Sequence, residues 1–235
     1  MTADFEQEPP KNSGRDGEKR PPRAHLNAED ARRLAEEARK KGEMIFTRAY
    51  GLVRDPKTEW EQIRAEETAT VNLLLGYVAP LATIPPLAGL IGSLIFGVQV
   101  GSEVVRTPIG TALLTAIVTI IASVALVYFL GLLINAIADN FDGERDELSA
   151  QKVAAYSMTP AFLSGVFSLW PPLWWVGLVG IAMSAFLFYR GLPPLMRCPE
   201  ERALGYATTS ILAGLVAFIV LFGVLTSCVI GVGRL

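Results

Sequence analysis

Charge is missing from most of this chain. No Asp, Glu, Lys or Arg occurs in 68–102, 107–138, 153–189 or 203–233. Hydrocarbon tolerates charge poorly, and about 20 apolar helical residues cross a bilayer core of about 30 Å. Each stretch is long enough, which predicts an integral membrane protein with most of its mass in lipid. Histidine is almost absent as well. His25 is the only one and sits in a polar tail, which leaves the bundle without a histidine metal site or a Ser-His pair. The two cysteines, Cys198 in a loop and Cys228 deep in the last apolar run, are badly placed for a disulfide. Cys198 reads as a free thiol, with acylation beside the membrane as the alternative. No phosphate-cradling loop is present. No charge lies in mid-span to suggest a proton relay, and Asn72, Gln99 and Asn135 sit near span ends, where water reaches them. No catalytic, cofactor-binding or metal-binding set can be assembled, so an enzyme is the least favoured function class.

The charge that exists is concentrated early: 14 of the 21 lysines and arginines precede Glu66. The net charge of −2 averages that region with neutral spans and carries no message about nucleic acid. The first 41 residues lack the apolar core of a signal peptide, and up to Leu26 they read as disordered. A helix then starts at the Asn27 cap, with Glu29 and Asp30 in its first turn, and Gly42 is expected to stop it. Ile45, Phe46, Ala49, Tyr50 and Val53 recur at helical spacing, while Thr47, Arg48 and Arg54 take the other face. Such a helix suits the headgroup region, with its arginines near anionic lipid, or the cytoplasmic end of the bundle. Asp55 and Pro56 are the cap and first residue of another short helix, in which Trp60 reads as an interfacial anchor.

The first apolar run is too long for one upright crossing. Split at Pro85-Pro86 it is too short for two, so one kinked helix is expected. In 153–189 the centre reads Leu169-Trp170-Pro171-Pro172-Leu173-Trp174-Trp175, prolines among tryptophans, as at an interfacial turn between two short spans. Five spans result. They place Arg145, Lys152, Arg190, Arg197 and Arg202 with the basic tail, against Arg106 and Arg234 opposite. Basic residues favour the cytoplasmic side, so the N-terminus is expected there and the C-terminus outside. The fold class is therefore all-α: a polytopic bundle of five transmembrane helices over 68–235, preceded by a tail at 1–43 and juxtamembrane amphipathic helices at 44–67.

Small residues repeat within the spans. Gly89, Ser93, Gly97 and Gly101 fall four apart, as do Gly223, Ser227 and Gly231, and Thr107, Thr111, Thr115, Thr119 and Ser123 form a hydroxyl row. Close helix packing explains them better than a solute path, because steps of four drift around a helix of 3.6 residues per turn. The acidic turn at 139–144 departs from a calcium loop. With Gly143 at that motif's glycine, Ala138 and Ser149 occupy its first and last carboxylate positions.

Several of these residues resemble a known family. Pro56 and Trp60, then Tyr77 and Pro80, look like the opening of the Yip (Ypt/Rab-interacting protein) domain. Phe141 and Gly143 fit its loop between spans two and three. Tyr156, Thr159 and Pro160 are similar to its central motif, and Tyr189, Gly191, Leu192, Pro193, Pro199 and Tyr206 to its fourth loop. The resemblance runs from about Val53 to the C-terminus and implies a five-span protein with a cytoplasmic N-terminus. Eukaryotic members bind Rab-type GTPases. This chain looks more like the compact prokaryotic members, which implies the bacterial inner (plasma) membrane and no cofactor or catalytic residue. A non-catalytic scaffold, adaptor or membrane-organising protein is the expected function, and a small-molecule transporter or channel is the alternative. The bilayer is the one partner in view; a membrane or cytoplasmic protein partner and the oligomeric state are left open.

Overall fold

The structure is a computed structural model and describes residues 28–100, 103–106 and 108–232. The tail to Leu26, the Asn27 cap, Gly101, Thr107 and Arg234 fall outside them. Residues up to Gly42 belong to one compact unit and those from Glu43 onward to a second.

Helix α1 runs Ala28–Arg54. Gly42 does not end it. A terminating glycine acts through positive φ, and among the described glycines only Gly97 has it. Asp55 then caps α2, Pro56–Ala65, accepting from the Thr58 N–H, with Pro56 in the first turn as its missing donor permits. This hydrogen bonding by the Thr58 side chain and backbone also holds the Asp55 carboxyl below its usual pKa.

The first long segment, Thr70–Phe96, is interrupted twice. A short helix α3, Thr70–Leu73, passes into a π turn, Leu74–Val78, before α4, Ala79–Ala82. Pro80 lacks the N–H that would bond the Gly76 carbonyl, which locates the irregularity. Thr83 separates α4 from α5, Ile84–Phe96, so the expected break comes just before Pro85-Pro86, which sit in the first turn of α5. A two-stranded antiparallel ribbon, β1 Val98–Val100 and β2 Glu103–Val105, follows. It is the one pair of strands among the described residues.

Helix α6, Ile109–Ile137, returns and ends in a 3-10 turn, Ala138–Phe141. Asp146 caps α7, Glu147–Ser157; α8, Thr159–Ser164, and a 3-10 turn, Gly165–Leu169, continue it. The chain reverses at Trp170, where Trp170, Trp174 and Trp175 are all exposed, as an interfacial turn requires. Helix α9, Trp174–Met196, includes Pro193 and Pro194, and α10, Glu200–Val232, completes the bundle. The region around 190–202, read from sequence as a loop, is thus helical up to Met196, and the connection shrinks to Arg197, Cys198 and Pro199.

Four segments are long and apolar enough to span: Thr70–Phe96, Ile109–Phe141, Pro171–Met196 and Glu200–Leu221. The expected five continuous helices become four, because the arm at 147–169 is broken at Met158 and again at Gly165. Pro160 removes the N–H that would have bonded the Tyr156 carbonyl, and the Thr159 hydroxyl bonds that carbonyl instead, at 2.7 Å.

Buried side chains concentrate at one end. The core joins Leu73–Ala82, Val127–Ala138, Ala150–Phe162, Leu187–Met196 and Ala203–Ala207 with Leu52, Trp60 and Ile63. Towards the other end, Ile91, Ile95, Ile109, Leu113, Val179 and Ile219 are exposed, as lipid-facing residues are. Close packing persists there at Gly92, Gly165 and Gly180, a Cβ at the last falling 2.8 Å from the Pro160 carbonyl oxygen. A Cβ at Gly92 would meet the carbonyl oxygens of Ser168 and Leu169 at 2.8 and 2.9 Å, and one at Gly165 would collide with Pro85. The packing glycine of the first segment is therefore Gly92. The row predicted from spacing is off the contact face: Gly89 has nothing near it, and Gly97 has left the helix with φ 75°. A Cβ at Gly223 would likewise find open space. Thr115 and Ser123 donate to their own helix, to the carbonyls of Thr111 and Thr119.

Candidate functional site

Most of the family-like residues meet at the core-rich end, in three adjoining groups. The first is built around Arg48. Ile45, Arg48, Ala49 and Leu52 share one face of α1 at spacings of three and four. Arg48 therefore points inward with the apolar residues, while Phe46, Tyr50 and Val53 are exposed, the reverse of the sequence expectation. Its guanidinium pairs with Glu59 at 2.6 Å and with Glu66, and lies 5.7 Å from the Tyr156 ring centroid. Tyr156 also donates to Glu66 at 3.3 Å. The Tyr77 and Tyr156 rings are 4.6 Å apart and tilted by 60°. Tyr77 and Thr159 share a 2.9 Å hydrogen bond. Since the single Thr159 proton goes to the Tyr156 carbonyl, Tyr77 is the donor.

Lys152 completes this group, and sequence reading assigned it to a loop. It is buried in α7, and its ammonium donates to the carbonyls of Ile63 at 2.9 Å and of Glu66, at the C-terminal end of α2. Those carbonyls end α2, the Ile63 one otherwise holding only a shared 3.3 Å bond from the Glu66 N–H, and carry the negative end of the helix dipole, so a lysine there is a cap. Two cations and two carboxylates balance, which is how charged side chains are retained away from water. Gln151, also missed, donates to the Tyr128 carbonyl and packs on Gly131.

The second group is a turn lock. Phe141 and Tyr206 stack at 5.0 Å, 6° from parallel, and Tyr206 donates to the Ile134 carbonyl. Asp142 takes a left-handed conformation, φ 55°. A Cβ on Gly143 would sit 3.1 Å from the Met196 carbonyl. The Glu144 N–H bonds that carbonyl at 2.8 Å. Arg145–Asp139, Arg197–Glu144 and Arg202–Asp142 pair across the turn at 2.8, 2.6 and 3.1 Å. The acidic turn is thus a docked, ion-paired corner, and no group of His, Cys, Asp or Glu suited to a metal occurs among the described residues. Cys198 is buried beside it, and burial raises its thiol pKa.

In the third group Trp60 is buried, not an interfacial anchor, and its indole lies against Gly191. Leu192 is fully buried, and Tyr189 and Pro193 line a cleft of about 280 Å³ with Lys57, Glu61 and Arg190. Pro199 supplies the carbonyl bonded by the Arg202 and Ala203 N–H groups at the start of α10. Asn135, expected to meet water, has a buried Oδ1 without a partner.

These contacts place the end of α2, the turn after α6 and the α9–α10 connection at the same end of the bundle. Fixed ion pairs, aromatic stacking and a capping lysine can hold α1 and α2 to the rest of the bundle.

Known proteins carry the same features. The Yip1 domain matches residues 50–221, most of the chain. The inner membrane protein YohC of Escherichia coli K12 is 26% identical over 180 residues, covering 75% of this chain and 92% of YohC. YohC of Escherichia coli O6:H1 matches equally. No solved structure matches. With the family matched over residues 50–221, this chain belongs to the Yip1 domain family and is a multi-pass protein of the bacterial inner membrane.

Proposed function

We propose that this chain is a non-catalytic adaptor or membrane-organising protein, presenting α1 and α2 at the cytoplasmic face of a five-crossing bundle. One observation carries the reading: the polar family-motif residues gather at the end that holds α1 and α2, where they fix those helices, and do not converge at mid-span. The threonine row, which would line a solute path, donates to its own helix at Thr115. Exposed Phe46, Tyr50 and Val53 form a stripe on α1 available to lipid or to a protein partner.

The fifth crossing is the broken arm at 147–169. It starts beside α2 through Lys152 and ends level with Gly92, near the far end of the first segment. Its one proline, Pro160, is buried among neighbouring helices, the circumstance in which irregular backbone is tolerated at membrane depth, and its 3-10 turn packs on Pro85 through Gly165 while Val166, Phe167 and Leu169 face outward. In this reading 1–43 is a cytoplasmic tail, 44–67 the juxtamembrane helices and 68–235 the membrane domain. A reporter fused after Leu235 should be exported, and one inserted between Asp142 and Glu147 retained; finding both on one side would end the five-crossing arrangement.

The transporter reading draws on the interrupted first segment, since broken spans build many solute sites. A photoreactive residue at Phe46 or Tyr50 should yield defined protein or headgroup adducts in native membranes, and one at Thr115 only acyl-chain adducts. Solute flux that disappears in well-folded Thr115→Val and Thr119→Val proteins would decide for transport.

A further inference from the structure

The cleft beside Trp60 has a composition that the adaptor reading does not use. Lys57 and Glu61 reach it from α2, Arg190 from α9 and Glu200 from the start of α10. None of the four forms an ion pair among the described residues, although the arginines and acids of the neighbouring turn are all paired. Two unpaired cations and two unpaired carboxylates around one opening make it neutral overall but strongly dipolar.

Its depth follows from the sequence. Tyr189 is the last residue of a charge-free stretch and Arg190 the charge that ends it, and both line the cleft. The cleft therefore opens where hydrocarbon gives way to headgroups. Pro193 and Pro194 also line it. Lacking N–H groups, they leave the carbonyls of Tyr189 and Arg190 without their usual donors four residues on, which adds acceptors at the same level. The cleft, at about 280 Å³, falls just below the range of about 300–1,000 Å³ usual for drug-sized ligands, so it suits a small polar group.

From this arrangement we propose that the cleft binds the zwitterionic headgroup of a phospholipid, with Arg190 and Lys57 on the phosphate and Glu61 and Glu200 on a primary ammonium. The Tyr189 ring supplies a face for that ammonium. A guanidinium and an ammonium match phosphate oxygens by charge-assisted hydrogen bonds. An anionic headgroup gains the same two cations but meets two carboxylates with nothing to offer them, and like charge so placed disfavours it. The selectivity is for a lipid carrying both signs. It is independent of whether α1 recruits a partner.

The test is native mass spectrometry of the full-length chain released from nanodiscs holding equal amounts of phosphatidylethanolamine and phosphatidylglycerol. Phosphatidylethanolamine should be retained preferentially, and Arg190→Gln should lower its retention about tenfold, the scale of one charge-assisted hydrogen bond. Arg190→Lys should lower it less. Glu61→Gln changes an exposed side chain, so the fold survives, and it should shift retention towards phosphatidylglycerol. Equal retention of the two lipids, or a preference that neither Arg190→Gln nor Glu61→Gln moves, would overturn the proposal. So would tight binding of free O-phosphoethanolamine by a chain that keeps neither lipid, since the ligand would then be soluble.

Discussion

The indole of Trp60 fills the space that a side chain at Gly191 would need: a Cβ built there falls 2.6 Å from Cζ2 of the ring. Helix α2 seats on α9 through this contact, and a rigid bicyclic ring has little room to give. Gly191→Ala should lower stability by about 1–3 kcal/mol, the usual range for overpacking, in detergent melts. Adding Trp60→Phe should recover part of that loss by removing the clashing atoms. An unchanged melt for Gly191→Ala would mean that α2 is not seated there.

Gly89 and Gly92 separate two packing faces. Gly92→Ala should push α5 away from the turn at Ser168 and Leu169, where backbone atoms cannot yield, and destabilise by about 1–3 kcal/mol. Gly89→Ala enters open space and should be neutral or stabilising by up to about 1 kcal/mol through helix propensity. The same melts read both.

Tyr77 and Thr159 are 82 positions apart and joined by one hydrogen bond. A double-mutant cycle with Tyr77→Phe and Thr159→Val should give a coupling of about 0.5–1.5 kcal/mol. The threonine single variant should be the more severe, because it also strips the Tyr156 carbonyl of its hydroxyl donor. Additive effects would show that the two hydroxyls act separately.

Cys198 should be slow to react with maleimide at neutral pH in a Cys228→Ala background, and fast once the bundle is unfolded. Burial raises its thiol pKa, so the neutral form is favoured in the folded chain. The stability this contributes is complete below the unfolded thiol value, about 8.5, and fades as pH rises through the higher folded value. Melting followed from pH 7 to 10 should therefore fall more steeply in this background than when Cys198 is also replaced by alanine.

What the sequence disclosed was whatever depended on near neighbours. The charge-free stretches, the Asp55-Pro56 start of α2 and the tryptophan-flanked reversal at Trp170 each rest on local chemistry and reappear in the fold. The misreadings concern which side of a helix meets another helix. Trp60 lies just before the first span, and position alone does not tell an interfacial ring from one pressed on Gly191. The row through Gly89 and Gly97 had the right period on the wrong face, since Ala88 and Gly92 carry the same spacing one step round. For Arg48 a signal was present: it lies between Ile45 and Leu52 at core spacing. Its partners Glu59 and Glu66 follow the break at Asp55, so no periodic pattern could join them. Lys152 looked like the last loop charge because only the fold brings α2 against it.

The broken arm carries an implication for how the protein is made. In the five-crossing arrangement proposed above, Pro160 keeps residues 147–169 from forming one uninterrupted helix, and bare lipid offers no substitute partners. What packs on their turn is Pro85 and Gly92, which precede them in the chain and reach the bilayer first. Biogenesis is then directional: the opening segment is the template on which the hairpin matures. A chain permuted to synthesise 147–196 first should insert poorly even though every contact of the finished bundle remains available to it.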